Sequence, residues 1–368
     1  MRIVACTLRD FRCYDEARMS LGDGLTVVSG PNGAGKTNLL EALYFGCTAR
    51  SCRTANEREL VRFGASATRI EIDARDEDGA HQIAVGLAPG EAKRIKVDGA
   101  PVERLLEVGG RPLVSVFLPD RLELVKGPPS VRRAHLDQFV AAVWPTRVAT
   151  RRAYAQVLAQ RNALVARVRA GGGSAESLRT WDMQLARHGI GLMADRAAAT
   201  EAVAGRFAQL GGELGIDAEL ELAYRPRSRA TEPEALAGEL ADRLETDLAR
   251  GFTTHGPHRD ELALRRDGRD LRAFGSRGQQ RLALLALLLA EREALTEHRG
   301  VVPLMLLDDV MSELDRERRR ALVDRLRTSG GQAVISTTDL EHVPGGKDAD
   351  VVRVAVAGGR ILQEAAAA

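Results

Sequence analysis

Lysine is nearly missing from this chain of 368 residues: only positions 36, 93, 96, 126 and 347 carry it, although lysine and arginine together number 53. Arginine is the default cation here, so a lysine inside a motif carries more weight than usual. Net charge is also close to nil, at +2, which neither points to nor excludes a nucleic-acid partner. The four cysteines, Cys6, Cys13, Cys47 and Cys52, form no C-x-x-C pair and lack a histidine ladder. That excludes the usual zinc patterns and predicts buried thiols in a reducing compartment. The first residues, "MRIVACTLRDFRCYDE", lack the apolar core of a secretion signal, and no uncharged apolar run could span a bilayer. These absences predict a soluble, cytoplasmic protein with no membrane partner. Neither internal repeats nor low-complexity tracts occur beyond the alanine tail.

An apolar content of 44% is enough for a sizeable core, and the length suits two domains or one domain with an insertion. Residues 1–122 read mainly as short strands, with "LTVVSG" a buried strand, "KTNLLEALYFGC" a helix, and a hairpin around Asp78-Gly79. From 123 the chain turns to long Ala/Leu/Arg helices, broken by "GGGS" at 171–174. "IDAELELAY" at 216–224 alternates like a strand, and 233–251 reads as one amphipathic helix ending at Gly251. Beyond it come a hairpin around Asp267-Gly268 and the strands "LMLLDDV" and "QAVISTTD". The division predicted is 1–122, an α/β part; 123–250, a helical insertion; and 251–368, a second α/β part.

Between the first strand and helix lies "GPNGAGKT", which fits G-x-x-x-x-G-K-[ST]. Gly30, Gly33 and Gly35 let the backbone curl so that N–H groups, including those around Pro31, Asn32 and Ala34, face phosphate oxygens. The helix N-terminus adds partial positive charge. Lys36 suits the β- and γ-phosphates, and the Thr37 hydroxyl suits Mg²⁺. The strand "VVPLMLLDDV" ends in two carboxylates: Asp308 to hold Mg²⁺, Asp309 to polarise an attacking water. The chain has no N-K-x-D or T-K-x-D segment, which favours adenine over guanine.

"AFGSRGQQRLALLALLLAER", residues 273–292, runs a polar loop straight into an apolar helix, and Ser276 and Gln279 have the spacing of a capping box. The order of phosphate loop, long insertion, Ser/Gly/Gln loop, acidic strand, "SELD" and "STTD" resembles that of the ABC-type ATPases. More closely, "ARSCRT", "ELVRFG", "FLPDRLELVKGPPSVRRAHLDQF", "WDMQLARHG", "THGPHRDEL" and "LLDDVMSELD" resemble segments of the RecF family, a DNA-repair branch of the SMC-like ATPases. The resemblance runs essentially end to end.

It implies an α/β, ABC/SMC-type P-loop ATPase head with a helical insertion forming a short antiparallel arm. It implies a weak ATPase using ATP and Mg²⁺, with Asp309 catalytic where transporters usually carry Glu, so that turnover is slow. Ser276, Gly278 and Gln279 would close over the nucleotide of a second copy, and Ser312 to Asp315 would make the turn contacting it, giving an ATP-dependent homodimer. Thr337, Thr338 and Asp339 fall where transporters carry a switch histidine, "FLPDRL" falls at the glutamine loop, and Arg50 or Arg53 would reach the γ-phosphate. Function by resemblance is DNA binding at single-strand gaps, on double-stranded or junction DNA, with RecR and RecO, aiding RecA loading and SOS induction from a nucleoid-associated location.

A transporter ATPase subunit and a structural SMC-like chromosome protein are the competing readings. The long insertion opposes the first, and an arm too short for a long coiled coil opposes the second. His255 and His258 lie on a Gly/Pro turn with poor metal geometry, which predicts a structural role. Between Gln138 and Ala175 no acidic residue occurs, while arginines stand at 147, 151, 152, 161, 167 and 169. That one-sign stretch makes Arg147, Arg151 and Arg152 the expected DNA contacts.

Overall fold

Three apolar segments set the first sheet. Leu304–Leu307 and Ala333–Thr337 are buried at every position, and Leu25–Ser29 at all but its last. Continuous runs of this kind mark strands covered on both faces. They lie parallel in a six-stranded sheet whose order is Arg360–Ala365, Val352–Ala357, Leu25–Ser29, Ala333–Thr337, Leu304–Leu307 and Val114–Phe117. Only the terminal hairpin strand runs antiparallel to its neighbour. The computed structural model describes residues 1–365. A second six-stranded, antiparallel sheet contains Tyr14–Ser20, Arg2–Phe11, Thr68–Asp76, Gly79–Leu87, Arg94–Val97 and Ala100–Val102, in that order. The helix Lys36–Thr48 packs against strands of both, and Leu39, Leu40, Leu43 and Phe45 join the core cluster they share.

The chain divides into two compact units, 1–121 with 213–215 and 295–368, and 122–212 with 216–294. The first boundary falls where the composition changes. The second differs from the expected 250/251, because Leu220–Arg225 pairs along its length with Glu261–Arg266 and so ties the following segment to the helical unit. Residues 251–294, including the Ser276 loop, therefore belong with the insertion.

Within the helical unit, Val148–Arg169 and the 36-residue helix Leu178–Glu213 form the expected helix–turn–helix, with Ser174 capping the short turn by accepting from the Glu176 N–H at 3.1 Å. The expected single helix at 233–251 is two, Pro233–Ala241 and Leu244–Arg250. The break lets Leu240 join Tyr154, Leu185 and Leu192, while Leu244 and Leu248 pack on Leu164, Val165 and Leu178. Gly251 ends the second helix at φ 82°, as expected of a C-terminal glycine.

Arg161 sits at the middle of this unit, fully buried. It donates to Asp182 at 2.6 Å, to Asp247 at 2.7 Å and to Thr253 at 2.8 Å. His255 and His258 are spent on structure: His255 pairs with Glu239 at 2.6 Å, and His258 joins the Tyr154 hydroxyl at 2.8 Å and the Thr253 carbonyl at 3.0 Å. Burial pushes the His258 imidazole down to about 4. It is neutral when folded and takes up a proton on unfolding below about 6.5, so its contribution to stability is complete above pH 6.5 and is lost as pH falls toward 4. His258→Gln keeps a donor and an acceptor but cannot titrate. Its melting temperature should vary less between pH 6.5 and 4 than that of the parent chain. An equal pH slope in both proteins would show that other groups carry the acid sensitivity.

All four cysteines are unpaired. Cys6 and Cys47 are buried as expected, and burial pushes the Cys47 thiol up to about 12. Cys13 departs from the expectation: it is exposed, because the turn joining the first two strands carries it out of the sheet. Among the described residues, no helix is long and apolar enough to cross a membrane.

Candidate nucleotide site and signature loop

The phosphate loop is staked to two strands and a hairpin turn. Gly30 N–H donates to the Thr337 carbonyl at 3.3 Å, and Gly359 N–H donates to the Ala34 carbonyl at 2.9 Å. The Tyr14 hydroxyl donates to the Gly35 carbonyl at 3.1 Å. Gly35 has φ 115°, and a Cβ there would stand 2.8 Å from the Tyr14 oxygen, so both the backbone shape and the close approach require glycine. The Lys36 ammonium is folded into the loop, donating to the carbonyls of Gly30 at 2.8 Å and Pro31 at 3.0 Å. An open groove of about 910 Å³ lies beside the hairpin turn at Gly359, lined by Cys13, Asp15, Arg18, Arg62, Glu71 and Arg360 among others.

Thr37 and Asp308, 271 positions apart in sequence, meet here. The Thr37 hydroxyl donates to Asp308 Oδ2 at 2.8 Å. Asp308 Oδ1 accepts from the Ser336 hydroxyl at 2.6 Å, and Ser336 Oγ accepts in turn from the Asp309 N–H at 3.0 Å. Ser336 is a residue the sequence reading passed over, although it stands in "STTD". Parallel pairing sets Leu307 beside Ile335, which brings the next residue of each strand into reach. Asp309 has φ 48°, an uncommon conformation for a residue with a Cβ, and its buried Oδ1 has no hydrogen-bond partner. A strained acid with an unmet acceptor fits a site completed by a ligand.

No cluster of three acidic, histidine or cysteine side chains suited to a metal occurs among the described residues. Mg²⁺ needs none, since it is held by one or two protein oxygens plus phosphates and water. Thr37 and Asp308, in contact at 2.8 Å, would fit that donor set.

A second network stands behind the loop. Glu41 is fully buried and accepts from Arg12 at 2.9 Å twice, from Ser51 at 2.6 Å and from Arg53 at 3.1 Å. Arg53 also donates to Asn38 at 3.0 Å, so its guanidinium is held beside the first turn of the helix Lys36–Thr48, which carries Thr37. Arg12 and Glu41 carried no recognisable signal, because a bidentate pair 29 positions apart shows in no local pattern. "FLPDRL" begins at the end of the strand Val114–Phe117, and the Phe117 carbonyl accepts from the Asp308 N–H at 3.0 Å. Thr337 accepts from the Asp339 N–H at 3.2 Å and closes a tight turn, while Thr338 is exposed. Ser312 donates to the Asp309 carbonyl at 2.9 Å, and Asp315 caps the helix Arg316–Thr328 by accepting from the Arg318 N–H.

In the helical unit, the capping box forms as its spacing predicts. Ser276 N–H donates to Gln279 Oε1 at 2.9 Å, and Gln279 N–H donates to Ser276 Oγ at 3.2 Å. Gln280, which no motif singles out, is buried and donates to the Leu271 carbonyl at 2.8 Å, clamping the segment before the loop. Ser276, Arg277 and Gly278 are exposed.

The expected DNA trio is partly committed elsewhere. Arg147 pairs with Asp195 at 3.1 Å and lies over the Trp144 ring at 4.1 Å, and Arg151 pairs with Asp137 at 3.2 Å. Arg152 is exposed. The one-sign reading holds along the chain and fails in space, because Asp137, Asp182, Asp195 and Asp247 come from other segments to meet Arg147, Arg151 and Arg161.

The family described as "RecF/RecN/SMC N terminal domain" matches residues 2–359. The DNA replication and repair protein RecF of Anaeromyxobacter sp. (strain Fw109-5) is 38% identical over 370 residues, covering 98% of this chain and 99% of the relative. Its namesake in Myxococcus xanthus is 36% identical, covering 99% and 98%. Among solved structures, the recombination mediator protein RecF with ATP, of the RecFOR pathway, matches with a TM-score of 0.88 and 29% identity over 99% of this chain and 98% of that one. A Smc head bound to the C-winged helix domain of ScpA matches at a TM-score of 0.58 and 16% identity, a likeness of fold alone.

Proposed function

Since this chain belongs to the RecF family of SMC-like ATPases, we propose that it is an ATP-dependent DNA-binding protein of replication and recombinational repair. ATP and Mg²⁺ would close two copies into a clamp at single-strand gaps, and slow hydrolysis would open it and release DNA. Its relatives are DNA replication and repair proteins matched end to end, and nothing in the comparisons favours a transporter subunit or a structural chromosome protein. The observation that carries the reading is the Thr37–Asp308 contact, which joins the phosphate loop to the acidic strand at one point.

The chemistry follows from the residues. Lys36 would exchange its two loop carbonyls for β- and γ-phosphate oxygens. Thr37 and Asp308 would hold Mg²⁺, which when bound neutralises phosphate charge. The unmet Oδ1 of Asp309 would orient the attacking water. The Ser276 hydroxyl and the N–H groups near Gly278 would face the γ-phosphate held by the partner copy, making ATP part of the interface; Ser312 and Asp315 would lie on the same interface. RecR and RecO are the proposed partners, RecA loading and SOS induction the proposed outcome, and the nucleoid the proposed location. Arg147, Arg151 and Arg152 are candidate DNA contacts on the helical arm.

Two substitutions separate binding from closure. Ser276→Arg should bind ATP as the parent does yet stay monomeric, because a cation fills the place meant for the partner's nucleotide. Asp309→Asn should close and stay closed, with turnover reduced at least ten-fold. Sedimentation in ATP reads both. A Ser276→Arg protein that dimerises normally would reduce the loop to a helix cap.

A further inference from the structure

The proposed function leaves open which surface meets DNA, and the helical unit offers one that the sequence did not flag. The segment "RPRSRA" leaves the strand Leu220–Arg225 with Arg225, Arg227 and Arg229 exposed and Ser228 between them buried. None of the three guanidiniums makes a hydrogen bond or ion pair among the described residues, unlike Arg147 and Arg151.

The backbone beneath them is fixed. Arg227 N–H donates to Asp260 Oδ1 at 2.7 Å, and Ser228 Oγ accepts from the Ala230 N–H at 3.0 Å. Asp260 is fully buried and engaged by Tyr224 and Arg196, so it anchors the loop without neutralising its surface charge.

More positive charge gathers at the same anchor. Arg133 donates to the Asp260 carbonyl at 2.7 Å, and Arg259, next in sequence, is exposed over the Phe252 ring at 5.2 Å. The facing acid in the strand pairing, Glu261, is taken by Arg132 through bonds of 2.7 and 2.9 Å. Exposed, like-charged guanidiniums on an anchored loop repel one another, and among the described residues no carboxylate pairs with them. Such a row suits a polyanion whose charges repeat, because the backbone that carries it is already ordered before binding.

We propose that Arg225, Arg227 and Arg229, supported by Arg259, form a contact surface for the phosphate backbone of duplex DNA. This rests on the DNA-binding reading above and adds to it the surface and the mode: phosphate contact without reading of bases. An acidic protein segment is the competing occupant, and it would leave DNA affinity untouched.

The test is a salt titration of binding to a 30-base-pair duplex of arbitrary sequence, with ATP present. It compares the parent chain, the triple variant Arg225→Gln, Arg227→Gln, Arg229→Gln, and the matching triple lysine variant. Each phosphate contact contributes about 0.9 to the log–log salt slope, so the glutamine variant should lose about 2 to 3 units of slope. The parent's affinity should then fall roughly 40-fold more than the variant's between 50 and 200 mM salt. The lysine variant should keep most of the slope, since charge and not shape is at issue. Sedimentation in ATP should be the same in all three proteins.

An unchanged slope in the glutamine variant would overturn the surface and leave the proposed function standing. Equal losses in the glutamine and lysine variants would also overturn it, since charge would not be the cause. A parent chain that with ATP binds neither this duplex nor a gapped duplex would overturn both.

Discussion

Lys36→Ala should lose ATP affinity by ten- to hundred-fold or more while keeping its fold. In the structure the ammonium touches only two carbonyls of its own loop, so its removal leaves no buried group in the core unpaired. With nucleotide bound, the same ammonium is the one side-chain cation of the phosphate loop. A hydrogen bond to a charged partner is worth about 1.5–3 kcal/mol, which sets the expected loss. Backbone N–H groups and the helix N-terminus would remain, so weak binding should persist. Titration with a fluorescent ATP analogue checks this, alongside a thermal melt without nucleotide. Unchanged affinity would mean that the loop is not the triphosphate site.

Arg161→Met should be the most destabilising single change in the helical unit. Arg161 is fully buried and holds Asp182 and Asp247 at 2.6 and 2.7 Å. Removing one partner from a buried ionic group costs about 3–5 kcal/mol, because the remaining charges are stranded without water. Burial already pushes the Asp182 carboxyl up despite Arg161, and losing the guanidinium would push it further. An acid whose folded pKa is raised favours the fold below its unfolded pKa and loses that contribution as pH rises. The variant should therefore be more impaired at pH 7 than at pH 5. Urea denaturation at the two pH values measures this, with Arg161→Met, Asp182→Asn as the companion variant expected to recover part of the loss. A loss below about 1 kcal/mol would show that the site relaxes around a neutral side chain.

What could be read from the sequence follows the range of the interactions. The phosphate loop, the capping box of Ser276 and Gln279, and the apolar parallel strands are local patterns, and each appears where its spacing placed it. The meeting of Thr37 with Asp308 was legible because both are side chains suited to one Mg²⁺, one in the phosphate loop and one at the end of an acidic strand, although 271 residues separate them. Ser336, Arg12, Glu41 and Gln280 were missed because their partners lie in other elements, and their roles arise from strand register and burial. The charge argument for Arg147 and Arg151 failed for the same reason. Counting acids along one segment cannot register Asp137 and Asp195 arriving from neighbouring helices. The domain boundary near 250 was misplaced because the strand pairing that overrides it joins residues some 40 apart, Leu222 with Leu264 among them.

The central claim, that ATP joins two copies of this chain into the form that holds DNA, is tested most directly by sedimentation of the purified chain. Four conditions suffice: no ligand, ATP with Mg²⁺, a gapped duplex, and all together. The account predicts a monomer without ATP, a dimer with ATP, and a heavier DNA-bound dimer only when ATP and the gapped duplex are both present. A monomer that binds the gapped duplex equally well with and without ATP would contradict it.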